Sequence, residues 1–199
     1  ASMTPSKKRI LITGANGLLG QSLLHANQGR FALCATGRGA MRSDLKGATY
    51  HVLDTTQPED YVDVFKAFQP DVVIHAAAMT QVDDCETQPE QCQKLNVEAT
   101  AYCIAACEAV NAHLIFISTD FIFDGKEGPY GEAALPSPLS VYGQSKAEAE
   151  AFVMKAQCPW TIARTVLVIG YVPGLSRSNI ILWARDALSR GERIKVVDD

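Results

Sequence analysis

The sequence lacks the features of a membrane protein or of a nucleic-acid-binding protein. None of its apolar runs approaches the length of about 20 residues that a transmembrane helix needs. Its 18 basic and 22 acidic residues give a net charge of -4, so there is no excess of positive charge to attract nucleic acid or an anionic membrane surface. We therefore expect neither a membrane nor a nucleic acid among its partners.

Paired cysteines and grouped histidines are also missing. The six cysteines include no Cys-x-x-Cys pair, and several lie within apolar patterns, where a free thiol behaves as a small hydrophobic side chain. The four histidines are scattered, and none stands at metal-ligand spacing from a cysteine or a carboxylate. We expect reduced, structural cysteines in a cytoplasmic protein, with no bound metal.

A glycine-rich turn near the amino terminus is the most informative stretch that is present. Apolar strand formers lead into Gly14, Gly17 and Gly20, and an apolar helical pattern follows at once. Gly14 can turn the chain sharply, Gly17 can let backbone N–H groups approach a pyrophosphate, and Gly20 can let the helix pack closely on the strand. The flanking strand and helix favour a dinucleotide site over a turn that binds nothing. The predicted cofactor contacts here are Gly14, Asn16, Gly17, Leu18, Leu19 and Gly20.

Strand patterns alternate with helical patterns along the chain. The predicted strands cover 10–12, 31–36, 49–53, 71–75, 113–118, 160–164 and 193–197. The predicted helices cover 18–28, 58–69, 90–110, 141–156 and 178–190, and a glycine- and proline-rich loop covers 125–138. Because strand and helix alternate, we expect an α/β fold with a doubly wound parallel sheet, the Rossmann fold, built from right-handed crossovers.

Two arginines stand where the choice between nicotinamide cofactors is made. An enzyme for NAD usually places an acidic residue after the second strand, but here Arg38 stands there, with Arg42 close behind. A guanidinium fork matches the oxygens of a 2′-phosphate, so we expect NADP(H) to be preferred, with NAD(H) still possible. The alternative is that Arg38 is only a solvated loop residue. Asp54, followed by Thr55, is placed to bind the adenine amino group, unless Asp54 caps the next helix.

A second group of residues has the pattern of proton-transfer chemistry. Thr119 ends a strand at the edge of the sheet where ligands bind, and Tyr142 and Lys146 are four residues apart on a helix. A phenol has a pKa of about 10 and is a poor acid near neutrality. We expect the Lys146 ammonium to lower the pKa of Tyr142, and the Thr119 hydroxyl to orient a substrate carbonyl.

Four segments together carry a family resemblance. These segments are 13–20, 75–78, 118–125 and 142–146. Through them the chain resembles an extended short-chain dehydrogenase/reductase, and the resemblance extends from Ile10 onward. More narrowly, the run Ser-Thr-Asp-Phe-Ile-Phe-Asp-Gly at 118–125 is similar to the dTDP-4-dehydrorhamnose reductase family.

The resemblance implies a role for each matching residue. Tyr142 would donate a proton to the 4-keto oxygen while hydride arrives from the nicotinamide, and Lys146 would bind the nicotinamide ribose. Thr119 would hold the carbonyl oxygen. Asn96 would support the lysine through water, unless it only bonds its own helix backbone. The residues that would line the cofactor are Ala76, Ala77 and Ala78, and those that would face the sugar nucleotide are Thr80, Val82 and Phe121.

The sequence departs from the family pattern at two places. Phe121 stands where the family usually has tyrosine, which removes a hydroxyl from the substrate side. The chain also ends where relatives continue for about a hundred residues more, which is the length of a further domain. We therefore expect residues 1–8 to be a polar arm or cloning remnant and 9–170 to be an NADP(H)-binding Rossmann domain with the catalytic tyrosine and lysine. Residues 171–199 would begin a substrate-binding region that is cut short.

The function that the resemblance implies is NADPH-dependent reduction of a nucleotide-linked 4-keto-6-deoxy sugar, in the synthesis of dTDP-L-rhamnose. The expected partner is the nucleotide sugar, and a homodimer is one option for assembly. A non-catalytic NADP-binding regulatory subunit, like the β-subunit of methionine adenosyltransferase, would share the same motifs. A third hypothesis is a sugar-nucleotide epimerase or dehydratase, because dehydratases tend to carry an acidic residue at the position of Asp120, directly after Thr119.

Overall fold

The computed structural model describes residues 6–172 and 180–195, and a six-stranded parallel sheet lies at its centre. The strands are β1 (Arg9–Thr13), β2 (Ala32–Gly37), β3 (Thr49–Val52), β4 (Val72–His75), β5 (His113–Thr119) and β6 (Trp160–Thr165). The helices are α1 (Leu18–Ala26), α2 (Pro58–Phe68), α3 (Val82–Thr87), α4 (Pro89–Gln93), α5 (Ala99–Val110), α6 (Val141–Val153) and α7 (Ile180–Ser189). No helix in the described part of the chain combines the length and the apolarity that a bilayer crossing requires.

The strand order places a crevice at the carboxyl ends of β1 and β4. The order across the sheet is β3-β2-β1-β4-β5-β6, so the chain first winds outward from β1 and then returns to the other side of it. At the switch point Thr13 of β1 pairs with His75 of β4 in parallel register. Open α/β sheets bind their ligands at such a point, because the loops on either side diverge there. The predicted Rossmann fold is confirmed.

Alternate residues of the strands supply two cores, one on each face of the sheet. Leu11 packs with residues of α2 and α5 on one face, and Ile12 packs with Leu24 of α1 on the other. This is the two-residue period of a strand that is covered on both sides. All six cysteines are free and buried. Among the described residues, no three His, Cys, Asp or Glu side chains are grouped as a metal site would need.

The region predicted as one helix over 90–110 differs from the prediction. It consists of α4, a π-helical segment at Lys94–Glu98, and α5, and the short helix α3 precedes it without having been predicted. Pro89 opens α4 because proline fits the first helical turn, where its missing N–H is not needed. The π-helical segment contains the buried Asn96, and such segments often mark functional sites.

The predicted strand at 193–197 is wrong where the structure describes it. Residues 193–195 have no regular secondary structure, and 196 and 197 lie outside the described residues. A strand needs a neighbour to satisfy its backbone groups, and in the described sheet β6 pairs with β5 alone. The helix predicted from residue 178 is described from Ile180 onward. The other predicted elements agree with the structure within three residues at each end.

Candidate active site

A cavity of about 1320 Å³ runs along the carboxyl ends of the strands. It joins the glycine turn and the loop after β2 at one end to Thr119, Tyr142 and Lys146 at the other. Every residue predicted for the site lines this cavity, except Asp54 and Asn96. The sequence-based groups, which are more than a hundred residues apart in the chain, therefore form one site.

The glycine turn is shaped by contacts that leave no room for side chains. Gly14 has a φ of +70°, and a Cβ on it would lie 2.8 Å from the Cα of Ala77. A Cβ on Gly20 would lie 2.6 Å from the Cα of Ala15. These two glycines therefore allow the close packing of β1, α1 and the loop after β4 on which the cradle depends.

The first turn of α1 presents backbone donors to the cavity. The first hydrogen bond of the helix runs from the N–H of Gln21 to the carbonyl of Gly17, at 3.0 Å. The N–H groups of the cavity-lining Leu18, Leu19 and Gly20 precede it and have no acceptor in the preceding turn of the helix. They lie at the positive end of the helix dipole and are suited to bind an anionic group such as a pyrophosphate.

Asp54 is engaged in the turn that precedes α2. Its carboxylate accepts hydrogen bonds from the N–H of Thr56 at 2.9 Å and from the Thr56 hydroxyl at 2.8 Å. Its own N–H donates to the carboxylate of Asp60 at 2.8 Å. Asp54 lies outside the cavity lining and does not cap α2, whose N-cap residue is Gln57, so the capping alternative is wrong and an adenine contact remains a prediction. The neighbouring Thr55 does line the cavity.

Tyr142 reaches the cavity because α6 approaches the turn after β5 very closely. A Cβ on Gly143 would overlap the carbonyl oxygen of Phe121, so only glycine permits this approach. The ring of Phe121 then meets that of Tyr142 edge to face, with 5.8 Å between centroids. Thr119 accepts a hydrogen bond from the N–H of Phe121 at 3.2 Å and donates one to the Asp120 carboxylate at 3.1 Å. Sequence reasoning missed Gly143, although it stands within the Tyr-x-x-x-Lys motif.

The pKa of Tyr142 is raised rather than lowered, which corrects the expectation from helical spacing. Burial raises it, a side-chain hydrogen bond with Thr119 opposes this, and the nearby Cys85 and Asp120 raise it further. Lys146 instead donates to the carbonyl of Ile117 at 2.7 Å, and its Nζ lies 4.0 Å from the centroid of the Phe116 ring. Burial lowers the pKa of Lys146 to about 7. The amino group of Lys146 therefore faces β5, and its burial favours the uncharged form.

An ion pair behind Lys146 was also missed by sequence reasoning. Glu150 is fully buried, and its two carboxylate oxygens accept from Nη2 of Arg164 at 2.7 Å and from its Nε at 3.0 Å. Glu150 is one helical turn beyond Lys146, and its negative charge raises the pKa of Lys146 and so opposes the effect of burial. The signal available in the sequence was the i, i+4 spacing of lysine and glutamate on α6.

Asn96 connects two walls of the site, although it does not line the cavity. Its Oδ1 accepts from the N–H of Met79 at 2.7 Å, and its Nδ2 donates to the carbonyl of Met79 at 3.0 Å. The same Nδ2 donates to the hydroxyl of Ser145 at 3.0 Å, and that hydroxyl donates to the carbonyl of Tyr142 at 2.7 Å. Asn96 thus fixes the loop after β4 against α6. A water-mediated contact with Lys146 remains a prediction.

A buried histidine lies beneath the centre of the cavity. The Nδ1 of His75 is hydrogen-bonded to the hydroxyl of Thr13 at 2.8 Å, and this hydroxyl accepts from the N–H of Ala77 at 3.2 Å. Burial, with a contribution from Lys146, lowers the pKa of His75 to about 3. His75 is therefore neutral at physiological pH and holds the alanine run after β4 against β1.

The chain is similar to two kinds of curated protein. It is 34% identical over 173 residues to methionine adenosyltransferase 2 subunit beta of Pongo abelii, a match that covers 87% of this chain and 51% of that protein. It is 35% identical over 165 residues to the dTDP-4-dehydrorhamnose reductase of Aggregatibacter actinomycetemcomitans, over 81% of this chain and 52% of that protein. The chain thus spans about half the length of these curated relatives.

A solved structure and a family profile agree with these matches. The dTDP-4-dehydrorhamnose reductase of Bacillus anthracis in complex with NADP superposes with a TM-score of 0.79 at 29% identity, over 92% of this chain and 60% of that one. The profile described as RmlD substrate binding domain matches residues 8–199, which include both ends of the cavity. The resemblance read from the motifs is confirmed, and the chain belongs to the RmlD substrate binding domain family.

Proposed function

We propose that this chain is part of an NADP(H)-dependent reductase that acts on a nucleotide-linked 4-keto-6-deoxy sugar, as in the synthesis of dTDP-L-rhamnose. The observation that carries the proposal is that one cavity joins the backbone N–H groups at the start of α1, which suit an anion, to Thr119, Tyr142 and Lys146. Similarity to dTDP-4-dehydrorhamnose reductases supports the choice of substrate class.

The residues of the cavity fit a phosphorylated dinucleotide. The N–H groups of the first turn of α1 would hold the pyrophosphate, and Arg38 and Arg42 would pair with a 2′-phosphate. The small side chains of Ala76, Ala77 and Ala78 leave room for close approach along the loop after β4. A bound NADPH would supply the hydride, and the protein's own groups would supply the proton and the orientation.

Tyr142 is suited to donate the proton. Burial keeps its pKa above the ordinary value, so the phenol is protonated at neutral pH, the form that a proton donor requires. Its neighbour Thr119 would orient the carbonyl oxygen toward it. Lys146, with a pKa of about 7, gains charge where an anionic ligand lies nearby, and this would assist the loss of the phenol proton.

The far end of the cavity would hold the sugar. Thr80, Val82 and Phe121 line it, and Phe121 is 48% exposed. Val166 and Leu167, which follow β6, form an apolar wall nearby. A deoxy sugar presents a methyl group as well as hydroxyls, and such walls favour a ligand of this mixed character.

The decisive test is turnover by the protein with and without the phenol hydroxyl. With a dTDP-4-keto-6-deoxy sugar as substrate, loss of NADPH absorbance reports reduction. Tyr142→Phe should lower kcat by about a thousandfold and leave the Kd for NADPH unchanged, because only the proton donor is removed. Tyr171→Phe, at an exposed tyrosine, is the matched control and should keep full activity. Undiminished reduction by Tyr142→Phe would refute the proposed mechanism.

A regulatory role is the second candidate, because the curated relatives include methionine adenosyltransferase 2 subunit beta. In that case the protein would bind NADP(H), show no turnover with any keto sugar, and co-purify with a catalytic methionine adenosyltransferase. A sugar-nucleotide epimerase or dehydratase would instead release tightly held NAD when the protein is denatured.

A further inference from the structure

One side chain of the glycine turn holds the loop that carries the two arginines. Asn16 lies between Gly14 and Gly17, and its Oδ1 accepts from the N–H of Arg42 at 2.8 Å. Its Nδ2 donates to the carbonyl of Ala40 at 3.1 Å. Asn16 therefore binds one donor and one acceptor of the loop backbone, 24 and 26 residues further along the chain.

Asn16 is itself held in place by a buried residue. The side-chain Nε2 of Gln21, which has no exposed surface, donates to the carbonyl of Asn16 at 2.9 Å. The hydroxyl of Tyr50 donates to the carbonyl of Gly39, which adds a third attachment to the loop. A Cβ on Gly37 would lie 3.0 Å from that hydroxyl and 3.4 Å from the Nδ2 of Asn16, so glycine leaves room for the side chains of both Tyr50 and Asn16.

The loop depends on these hydrogen bonds because little of it is buried. Four of the five loop residues are exposed: Arg38, Gly39, Ala40 and Arg42. The fifth, Met41, packs against the core on the α1 side of the sheet. An exposed segment without packing samples many conformations, and each extra conformation lowers its affinity for a ligand that requires one of them. The backbone that carries the two arginines is thus held by hydrogen bonds to the glycine turn and to Tyr50.

We propose that Asn16 is a positioning residue for the 2′-phosphate, and that it acts through the loop backbone to make the site selective for NADP(H) over NAD(H). The inference rests on the proposed function only in that the site binds a nicotinamide dinucleotide, and it does not depend on catalysis. The pyrophosphate of either cofactor binds to the turn itself, whereas the 2′-phosphate binds to the arginines. Because Asn16 also belongs to the turn that both cofactors use, its loss weakens the binding of both, but of NADP(H) more than of NAD(H).

The test compares cofactor affinities of the full chain with and without the Asn16 amide. In Asn16→Ala the ratio of the Kd for NADPH to the Kd for NADH should rise about tenfold, because the loop that carries the arginines loses two hydrogen bonds that hold it in one conformation. Both values are measured by nicotinamide fluorescence. A purely structural role would weaken both cofactors equally.

Asn27→Ala is the matched control, since the Asn27 side chain also makes two hydrogen bonds to the backbone of a loop. Its Nδ2 donates to the carbonyl of Phe31 at 3.1 Å and its Oδ1 accepts from the N–H of Phe31 at 2.9 Å, at the far end of α1 from the glycine turn. Asn27→Ala should lower the melting temperature to a similar extent and change neither Kd. A matching loss of NADPH affinity in this variant would overturn the inference.

A double-mutant cycle shows whether Asn16 acts through the arginines. In an Arg38→Ala/Arg42→Ala background, Asn16→Ala should change the ratio of the two Kd values by less than about twofold, because the groups it positions are already gone. An unreduced tenfold effect there would overturn the inference and leave the proposed function standing. If the unsubstituted protein binds neither NADPH nor NADH, the proposed function fails together with the inference.

Discussion

The two ends of the cavity differ in which groups line them: close-packed backbone at one end and buried titratable side chains at the other. At the glycine turn, which is the end proposed to hold the cofactor (the cofactor end), Gly14 and Gly20 are packed so closely that a Cβ has no room. The end at Tyr142, where the proposed reaction would take place (the reaction end), contains the buried side chains of Tyr142 and Lys146, whose pKa values are shifted by burial. The cofactor end should therefore be sensitive to shape and insensitive to pH, and the reaction end should show the opposite behaviour.

The largest effect is expected from adding one methyl group at the cofactor end. Gly14→Ala forces a residue with a Cβ to a φ of +70° and places this carbon 2.8 Å from the backbone of Ala77. We expect a loss of about 3 kcal/mol in the free energy of unfolding and a rise of about a hundredfold in the Kd for NADPH. Chemical denaturation and fluorescence titration measure the two quantities.

Gly47→Ala provides the control for the backbone conformation alone. Gly47 has a φ of +84°, but a Cβ on it would meet no atom within 4 Å. This variant should lose about 1 kcal/mol and bind NADPH normally. If Gly14→Ala behaved in the same way, the cofactor end would not depend on close packing.

The next effect concerns the stability of the protein in acid. His75 has a pKa of about 3 in the folded protein and about 6.5 when unfolded, so between these values only the unfolded chain takes up the proton. Stability should therefore fall with decreasing pH across this window, by up to about 1.4 kcal/mol per pH unit from this group. In His75→Asn, whose amide can replace the hydrogen bond to Thr13, this part of the slope should disappear.

Denaturation midpoints at a series of pH values between 6.5 and 4 measure this slope. His51→Asn, on the edge strand β3, serves as the control and should keep the slope of the unsubstituted protein. An unchanged slope in His75→Asn would show that the buried histidine does not govern acid stability.

The smallest effect is expected from removing one charge at the reaction end. Asp120 raises the pKa of Tyr142 through its charge, and its carboxylate also accepts the proton of the Thr119 hydroxyl. Asp120→Asn should therefore lower the pKa of Tyr142 and move the alkaline limb of the kcat profile to lower pH, with the Kd for NADPH unchanged. The exposed Asp44→Asn should leave the profile in place, and a shift to higher pH in Asp120→Asn would contradict the assignment.

Local sequence patterns were sufficient for most of the fold and for the glycine turn between β1 and α1. The three glycines, the strand before them and the helix after them are neighbours in the chain, so their spacing already specifies the turn. The short helix α3 and the π-helical segment at Lys94–Glu98 were not predicted. Neither is long enough to show a clear apolar period, and their residues are held by contacts with α6 instead.

The sequence by itself determined the order of strands and helices along the chain and the glycine turn, because each of these depends on neighbours along the chain. Only the tertiary structure decided the direction of the pKa shift at Tyr142, since it depends on burial and on Asp120 rather than on the spacing to Lys146. The same holds for the pairing of Glu150 with Arg164 and for the contacts of Asn96. These interactions join residues from different elements, and their strength depends on how far folding removes them from water.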